Sequence, residues 1–364
     1  MEKIAGELVQ LPKRKIRSII GDPEKSAMAV NLIYVHDNEP GIKRIKNGDQ
    51  FKYVAGGSKI IVVEEDLERI RSLVIPPAWE DVWICTMANG HLQATGIDLK
   101  KRKQYRYHNL WTTVRNHTKY FRLYQFGKVL PAIRLQLEKD LSLPGLPLEK
   151  VLAVVVSLME RTNIRIGNSS YEKMYGTYGL TTLKDKHVAI VGTELQFSFK
   201  GKKGVHHDIS IKNRKLSKIV RACRDIPGKE LFQYYTSEGD RRSIDSGMVN
   251  EYIRNLSGGD YTAKDFRTWS GTLHAFLAFK ELGFFETDTE AKRKIAAAFD
   301  MVSAQLGNTR MVCKKYYVHP AIVSLYESKS LEKYLKQLDE IQVNDNKAGL
   351  TAEEEVVMKI LEAN

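Results

Sequence analysis

Cysteine is scarce and scattered in this 364-residue chain, at Cys85, Cys223 and Cys313. No CxxC pair occurs, which argues against a disulfide framework and a structural zinc site, and makes a reducing cytosol the expected setting. Long apolar runs are also missing. The longest, around Val151–Met159, falls well short of the roughly 20 residues of a membrane span. Met1–Glu7 lacks the charged-then-apolar pattern of a signal peptide. Acidic residues are in deficit, 44 Asp plus Glu against 57 Lys plus Arg, a formal net charge of +13. That excess makes a polyanion the expected partner, because dense negative charge exchanges its counterions for Lys and Arg. Familiar chemical motifs are absent as well. No G-x-x-x-x-G-K-[ST] occurs, no H-E-x-x-H and no G-x-S-x-G. His206 and His207 are adjacent, so on a strand they point to opposite faces, one exposed and one packed. The expectation is chemistry with no nucleotide cofactor and no protein-bound metal.

What is present is the composition of a folded protein, 43% hydrophobic and 9% aromatic, with a length that suits about two domains. Residues 1–30 alternate charge and apolar character without a clean period and read as an extension. Residues 31–112 have a β texture. Gln50–Val54, Lys59–Val63 and Asp81–Cys85 are short β-branched or aromatic runs, punctuated by Asn47-Gly48, Gly56-Gly57 and Asn89-Gly90. One short helix is expected near Glu65–Leu73, stopped before Pro76-Pro77. Residues 113–364 turn helical, with helices over Leu130–Leu141 and Leu148–Arg161, the latter with Pro147 at its first turn. A β insert at 178–211 interrupts them, with strands expected at Leu180–Leu183, His187–Val191, Leu195–Lys200 and Val205–Ile211. Thr287 and Glu290 form a capping box, and Gly307 closes that helix. The Glu- and Ala-rich C-terminus reads as a surface helix. The fold class is therefore α+β: a small antiparallel sheet domain, then a larger, mainly helical domain with a β insert.

Cutting a phosphodiester without metal needs a side-chain nucleophile, fixed cations for the crowded transition state, and a proton for the leaving oxygen. Arg suits the second task because its planar fork matches two phosphate oxygens. The chain carries such parts in order: Arg165 in Ile164-Arg-Ile-Gly167, Lys202 in the turn Phe199-Lys-Gly-Lys202, Lys264 and Arg267 in Lys264-Asp-Phe-Arg267, and Tyr317 in Cys313-Lys-Lys-Tyr-Tyr317. Singly, each has an ordinary reading as a solvated, capping or packing residue.

Together, these motifs resemble the catalytic domain of the type IB DNA topoisomerases, in the compact branch of bacteria and poxviruses. Further matches are Tyr178–Val188, Asn308-Thr309 and Lys314-Lys315, and, in the β half, Pro76–Cys85, Gly90–Gly96 and Lys103–Tyr107. The resemblance covers about residues 40 to 325. It implies that Tyr317 is the nucleophile, joined to the 3′-phosphate of the cut strand, because the family tyrosine precedes an aliphatic residue and lies nine after Asn308. It implies that Arg165 and Arg267 clamp phosphate oxygens, that Lys202 is the general acid, and that Lys264 is a second donor in a relay. Asn308 stands where eukaryotic and poxviral members have a donating histidine, and Arg310 where proline is frequent. Gln104, Tyr105 and Tyr107, with Lys100, Lys101, Arg102 and Lys103 supplying charge, are implied DNA contacts of a β-rich clamp domain. The implied activity is relaxation of supercoiled duplex DNA without ATP or metal, by a monomer acting as a clamp in a bacterial cytoplasm. A tyrosine recombinase is the alternative enzyme. It typically carries H-x-x-R where this chain has Lys264-Asp-Phe-Arg267. A catalytically inactive DNA-binding relative is the other.

Overall fold

Alternation and turn chemistry build the N-terminal sheet. The computed structural model describes residues 19, 22–48, 50–56, 59–61, 63–99, 101–338 and 348–363. The chain divides into two compact units, Met1–Arg122 and Leu123–Asn364, and each is described by itself.

In the first unit a short helix, α1 (Pro23–Met28), is capped by Asp22, whose carboxylate accepts from the Lys25 N–H. Six strands follow: β1 (Ile42–Asn47), β2 (Gln50–Ala55), β3 (Lys59–Ile60), β4 (Glu80–Ile84), β5 (Leu92–Ile97) and β6 (Lys103–Tyr107), with helix α2 (Glu64–Ser72) between β3 and β4. They form one antiparallel sheet in the order β3-β2-β1-β4-β5-β6. Asn47-Gly48 closes the β1–β2 hairpin, with Gly48 at φ +64°, the left-handed conformation glycine supplies without strain. Ile42, Val82, Ile84 and Ala94 bury one face against Ile70 of α2. The strand expected over Lys59–Val63 pairs only at Lys59–Ile60 among the described residues.

Helix α3 (Asn109–Asp140) crosses the boundary between the units, so the helix expected from Leu130 begins far earlier and continues through Pro131. The second unit is organised around α4 (Leu148–Thr162), buried without a break from Val151 to Met159. Pro147 is its N-cap, and Asn163, left-handed at φ +58°, ends it. A short helix, α5 (Ser169–Tyr175), precedes a three-stranded antiparallel sheet of β7 (Val188–Val191), β8 (Glu194–Lys200) and β9 (His206–Lys212). The remaining elements are α6 (Arg214–Arg224), the ribbon β10 (Gln233–Tyr235) and β11 (Arg241–Ser243), α7 (Ser246–Ser257), α8 (Ala263–Leu282), α9 (Asp288–Leu306), α10 (Arg310–Tyr316), α11 (Pro320–Glu327), α12 (Glu332–Leu338) and α13 (Ala352–Ala363). As the capping box predicts, the Thr287 hydroxyl accepts from the Glu290 N–H, and Gly307 ends α9 in the left-handed conformation.

Two expectations fail. Leu180–Leu183 is not a strand but a 3₁₀ turn over Leu180–Thr182. The Thr182 hydroxyl accepts from the Gly179 N–H at 3.0 Å, and the Thr181 N–H donates to Ile166 O at 2.7 Å, so a turn bond and a bond to a distant backbone carbonyl displace the ladder that the β-branched run suggests. Nor does α13 lie on the surface. Val356, Val357, Ile360 and Leu361 are buried in the core of the second unit. Glu354, 2% exposed, accepts from both terminal nitrogens of Arg134 at 2.8 and 2.7 Å and from the Trp269 indole at 3.0 Å.

Candidate active site

Helix ends, a hairpin tip and one tight helix crossing bring the predicted residues together. Helix α8 starts with a capping box in which the Asp265 carboxylate accepts from the Thr262 N–H at 2.8 Å and from its hydroxyl at 3.1 Å. This fixes the first turn, which carries Lys264 on an exposed face and Arg267 on the buried one, 5% exposed. Arg267 Nη2 donates to Leu306 O at 2.7 Å and Nη1 to Asn163 O. Those carbonyls belong to the C-terminal ends of α9 and α4, where the helix dipole favours a cation.

Arg165 lies just past α4. Its Nη2 donates to Gly307 O at 3.1 Å and to Asn308 Oδ1. Gly179 and the threonine turn brace this segment, since the Leu180 N–H donates to Arg165 O at 2.8 Å. Among the described residues neither arginine is paired with a carboxylate. Burial, and then the charge of Arg267, pull Arg165 down to about 10. Burial likewise lowers Arg267. Two guanidiniums are thus held in a poorly solvated site with no carboxylate beside them among the described residues, an arrangement that favours an anion.

The Asn308 amide has a defined orientation, because its oxygen accepts from Arg165. Its Nδ2 is therefore a buried donor, and it has no partner. Arg267 Nε is a second buried donor without one. Buried polar atoms are seldom left so, and each such donor is open to an acceptor from a ligand.

Tyr317 ends α10. Its N–H donates to Cys313 O at 2.9 Å, and its ring lies 5.3 Å from the Arg267 guanidinium carbon. Helix α8 permits this approach through Gly271, where an added Cβ would stand 2.5 Å from Tyr317 O. Thr272, fully buried, follows it, and its hydroxyl accepts from the His319 N–H at 3.1 Å. Tyr316 instead is 39% exposed, with the Lys315 ammonium 5.4 Å from its ring centre. Cys313 is buried packing beneath this segment, its thiol pushed up to about 11 by burial.

Arg165, Lys202, Lys264, Arg267 and Tyr317 line one cavity of about 370 Å³, and Asn308 joins it through Arg165. Lys202 sits at the tip of the β8–β9 hairpin, exposed, its ammonium 5.6 Å from the Tyr171 ring centre. Asn168, Tyr171, Tyr178 and Thr262 also line the cavity. The sequence reading assigns them no role, although Asn168 follows Ile164–Gly167 and Tyr178 opens the Tyr178–Val188 match. Arg310 is explained too. It pairs with Asp300 of α9, Nε to Oδ1 at 2.7 Å, and so anchors the start of α10.

In the first unit, the charges expected to contact DNA already have acidic neighbours. Lys101 pairs with Glu80 at 2.6 Å, Lys103 with Asp37 at 2.5 Å, and Arg102 with Asp98, which also accepts from Gln104 at 2.9 Å. The Tyr105 and Tyr107 rings stack at 5.9 Å. Lys100 lies outside the described residues.

Comparison with known proteins identifies the family. Residues 101–344 match the family model of the eukaryotic DNA topoisomerase I catalytic core. Residues 50–98 match that of the bacterial DNA topoisomerase IB N-terminal domain. The DNA topoisomerase 1B of Acanthamoeba polyphaga mimivirus is 32% identical over 295 residues, 79% of this chain and 88% of that protein. The DNA topoisomerase 1B of Vaccinia virus (strain Copenhagen) and the DNA topoisomerase I of Monkeypox virus are each 25% identical over 261 residues, 71% of this chain and 78% of theirs. Two adjoining family models and a relative that aligns along most of both chains lead to one conclusion: this chain belongs to the type IB DNA topoisomerases and is a type I DNA topoisomerase.

Proposed function

We propose that the chain relaxes supercoiled duplex DNA through a 3′-phosphotyrosyl intermediate on Tyr317. The observation that carries this reading is a pair of guanidiniums, Arg267 buried and Arg165 half-buried, uncompensated by carboxylate among the described residues and lining one cavity with Tyr317, with two unpartnered donors at Arg267 Nε and Asn308 Nδ2. In this reading a scissile phosphate takes the vacant donors, Arg267 Nε and Asn308 Nδ2, and both arginines hold its non-bridging oxygens. Preorganised charge of this kind acts most strongly on the transition state. Tyr317 Oη attacks phosphorus and its proton passes to solvent. The P–O5′ bond breaks, and the Lys202 ammonium gives a proton to O5′, with Lys264 able to replenish it. Torsion then turns the free 5′ end, and the 5′-hydroxyl attacks the phosphotyrosine to reseal the strand. Asn308 cannot titrate near neutral pH, so its part is a hydrogen bond and not proton transfer.

All six residues come from one copy of the chain, which supports a monomeric enzyme. Gln104, Tyr105, Tyr107, Lys101, Arg102 and Lys103 fit phosphate and groove contacts, their acidic partners being surface pairs of small worth. The bacterial-type N-terminal domain supports a bacterial cytoplasm as the setting. No helix among the described residues is long and apolar enough to cross a membrane.

The test is plasmid relaxation in EDTA without ATP. The wild type relaxes DNA, and Tyr317→Phe loses both relaxation and covalent adduct while still binding DNA. A Tyr317→Phe enzyme that relaxes plasmid, with a Tyr316→Phe enzyme that does not, refutes the assignment.

A further inference from the structure

The tip of the β8–β9 hairpin must be aimed if Lys202 is to reach one particular oxygen, and the structure contains a spacer for that purpose. His207 on β9 pairs in register with Phe199 on β8, and their rings stack at 5.1 Å with 17° between planes. The far edge of the imidazole fills a gap between two glycines. A Cβ on Gly201, the residue before Lys202, would stand 2.5 Å from His207 Cδ2. A Cβ on Gly307 would stand 2.3 Å from His207 Cε1. Gly307 is left-handed at φ +56°, so glycine there has a backbone reason. Gly201, at φ −90°, has none, and the histidine ring is what excludes a side chain. Gly307 is also the residue whose carbonyl accepts from Arg165. One imidazole thus separates the hairpin tip from the turn that presents Gly307 and Asn308 to Arg165.

We propose that His207 is a positioning residue, whose ring sets the spacing between Gly201 and Gly307 and so aims Lys202 at the leaving oxygen of a phosphate held by Arg165. The proposal rests on the reading of Lys202 as general acid. A neutral ring suits the place. Burial lowers the His207 pKa first, the charges of Arg165, Arg267 and His206 lower it further, and only Asp208 opposes them. A third cation is thereby kept away from the two arginines.

The experiment is single-turnover cleavage of two DNA substrates, one with the ordinary 5′ oxygen at the scissile bond and one with sulfur in its place. A thiolate leaves without being protonated, so the sulfur substrate does not need the acid. His207→Ala is expected to slow cleavage of the oxygen substrate on the order of 10²-fold, the scale of a displacement of about 1 Å. On the sulfur substrate it is expected to act near the wild-type rate. Gly201→Ala disturbs the same contact with His207 in place and should show the same pattern. Adding His207→Ala to Gly201→Ala should restore part of the lost rate, because the two side chains compete for one space. His206→Ala, at the exposed neighbour, should match wild type on both substrates.

Equal slowing of His207→Ala on both substrates, no slowing on either, or additive losses in the double variant would overturn the proposal. Lys202→Ala separates this from the underlying reading. If sulfur fails to rescue Lys202→Ala, the general-acid role of Lys202 falls. If sulfur rescues Lys202→Ala and not His207→Ala, only the positioning role falls.

Discussion

The second unit buries guanidinium groups in two ways. Arg134, its side chain 16% exposed, is enclosed by carboxylates: Glu354 through both terminal nitrogens and Glu160 through Nε at 2.8 Å. Burial works against its charge, but the two acids outweigh it and hold its pKa above the ordinary arginine range. Burial also pushes Glu354 up, and the bonds from Arg134 outweigh it and bring Glu354 below its usual value. Arg165 and Arg267 have carbonyl oxygens and the Tyr317 phenol but no carboxylate, and burial makes their pKa values fall. The first arrangement is complete in itself and ties α13 to α3 and α8. In the proposed reading the scissile phosphate completes the second. Burial of a cation therefore says little about its task until its partners are counted.

That contrast predicts that damage at the two places differs in kind. The largest effect on stability belongs to Glu354→Gln, which leaves Arg134 buried beside one carboxylate and should cost about 3–5 kcal/mol in denaturant unfolding. An unfolding midpoint like the wild type's would dissolve the contrast from the structural side. Arg267→Ala should instead slow single-turnover cleavage by roughly 10²–10³-fold. Its stability should change little, because a buried uncompensated charge leaves with it; a loss as large as that of Glu354→Gln would show that Arg267 is a structural residue. Asn308→Ala removes one neutral hydrogen bond to the phosphate, about 0.5–1.5 kcal/mol, and Arg165 keeps its bond to Gly307 O when it loses the one to Asn308 Oδ1, so cleavage should slow by roughly tenfold. A loss equal to that of Arg267→Ala would mean that the amide does more than donate. The smallest effect is expected for Arg310→Ala. Its exposed pair with Asp300 is worth under about 1 kcal/mol, and the cleavage rate should stay at the wild-type value.

The residues of the candidate cavity are legible as residue types in a fixed order, since five of them, Arg165, Lys202, Lys264, Arg267 and Tyr317, line one cavity. The reading sets Tyr317 apart from Tyr316 by its distance from Asn308; of the two, Tyr317 lines the cavity and Tyr316 is 39% exposed. Helix α9 was legible because its start and stop are local: Thr287, Glu290 and Gly307. The failures have non-local causes. Leu180–Leu183 reads as strand from its β-branched residues, but the backbone of Ile166 competes for it. Glu353–Glu355 made α13 look solvated, although Val356, Val357, Ile360 and Leu361 already formed an apolar stripe. The partner that makes Glu354 a buried residue, Arg134, lies 220 positions away, where no periodicity can reveal it. One of His206 and His207 is expected to pack, but which one, and against what, is not legible, because Gly307 lies far along the chain from both.

The account stands on Tyr317 acting beside two uncompensated arginines. The most direct measurement is to trap the enzyme on a nicked suicide substrate, digest the denatured adduct and identify the residue carrying the nucleotide by mass spectrometry. The account predicts 3′-phosphate linkage to Tyr317, with no adduct on Tyr316, and a sharply reduced yield in Arg267→Ala. Linkage to Tyr316, or an undiminished yield in Arg267→Ala, would contradict it.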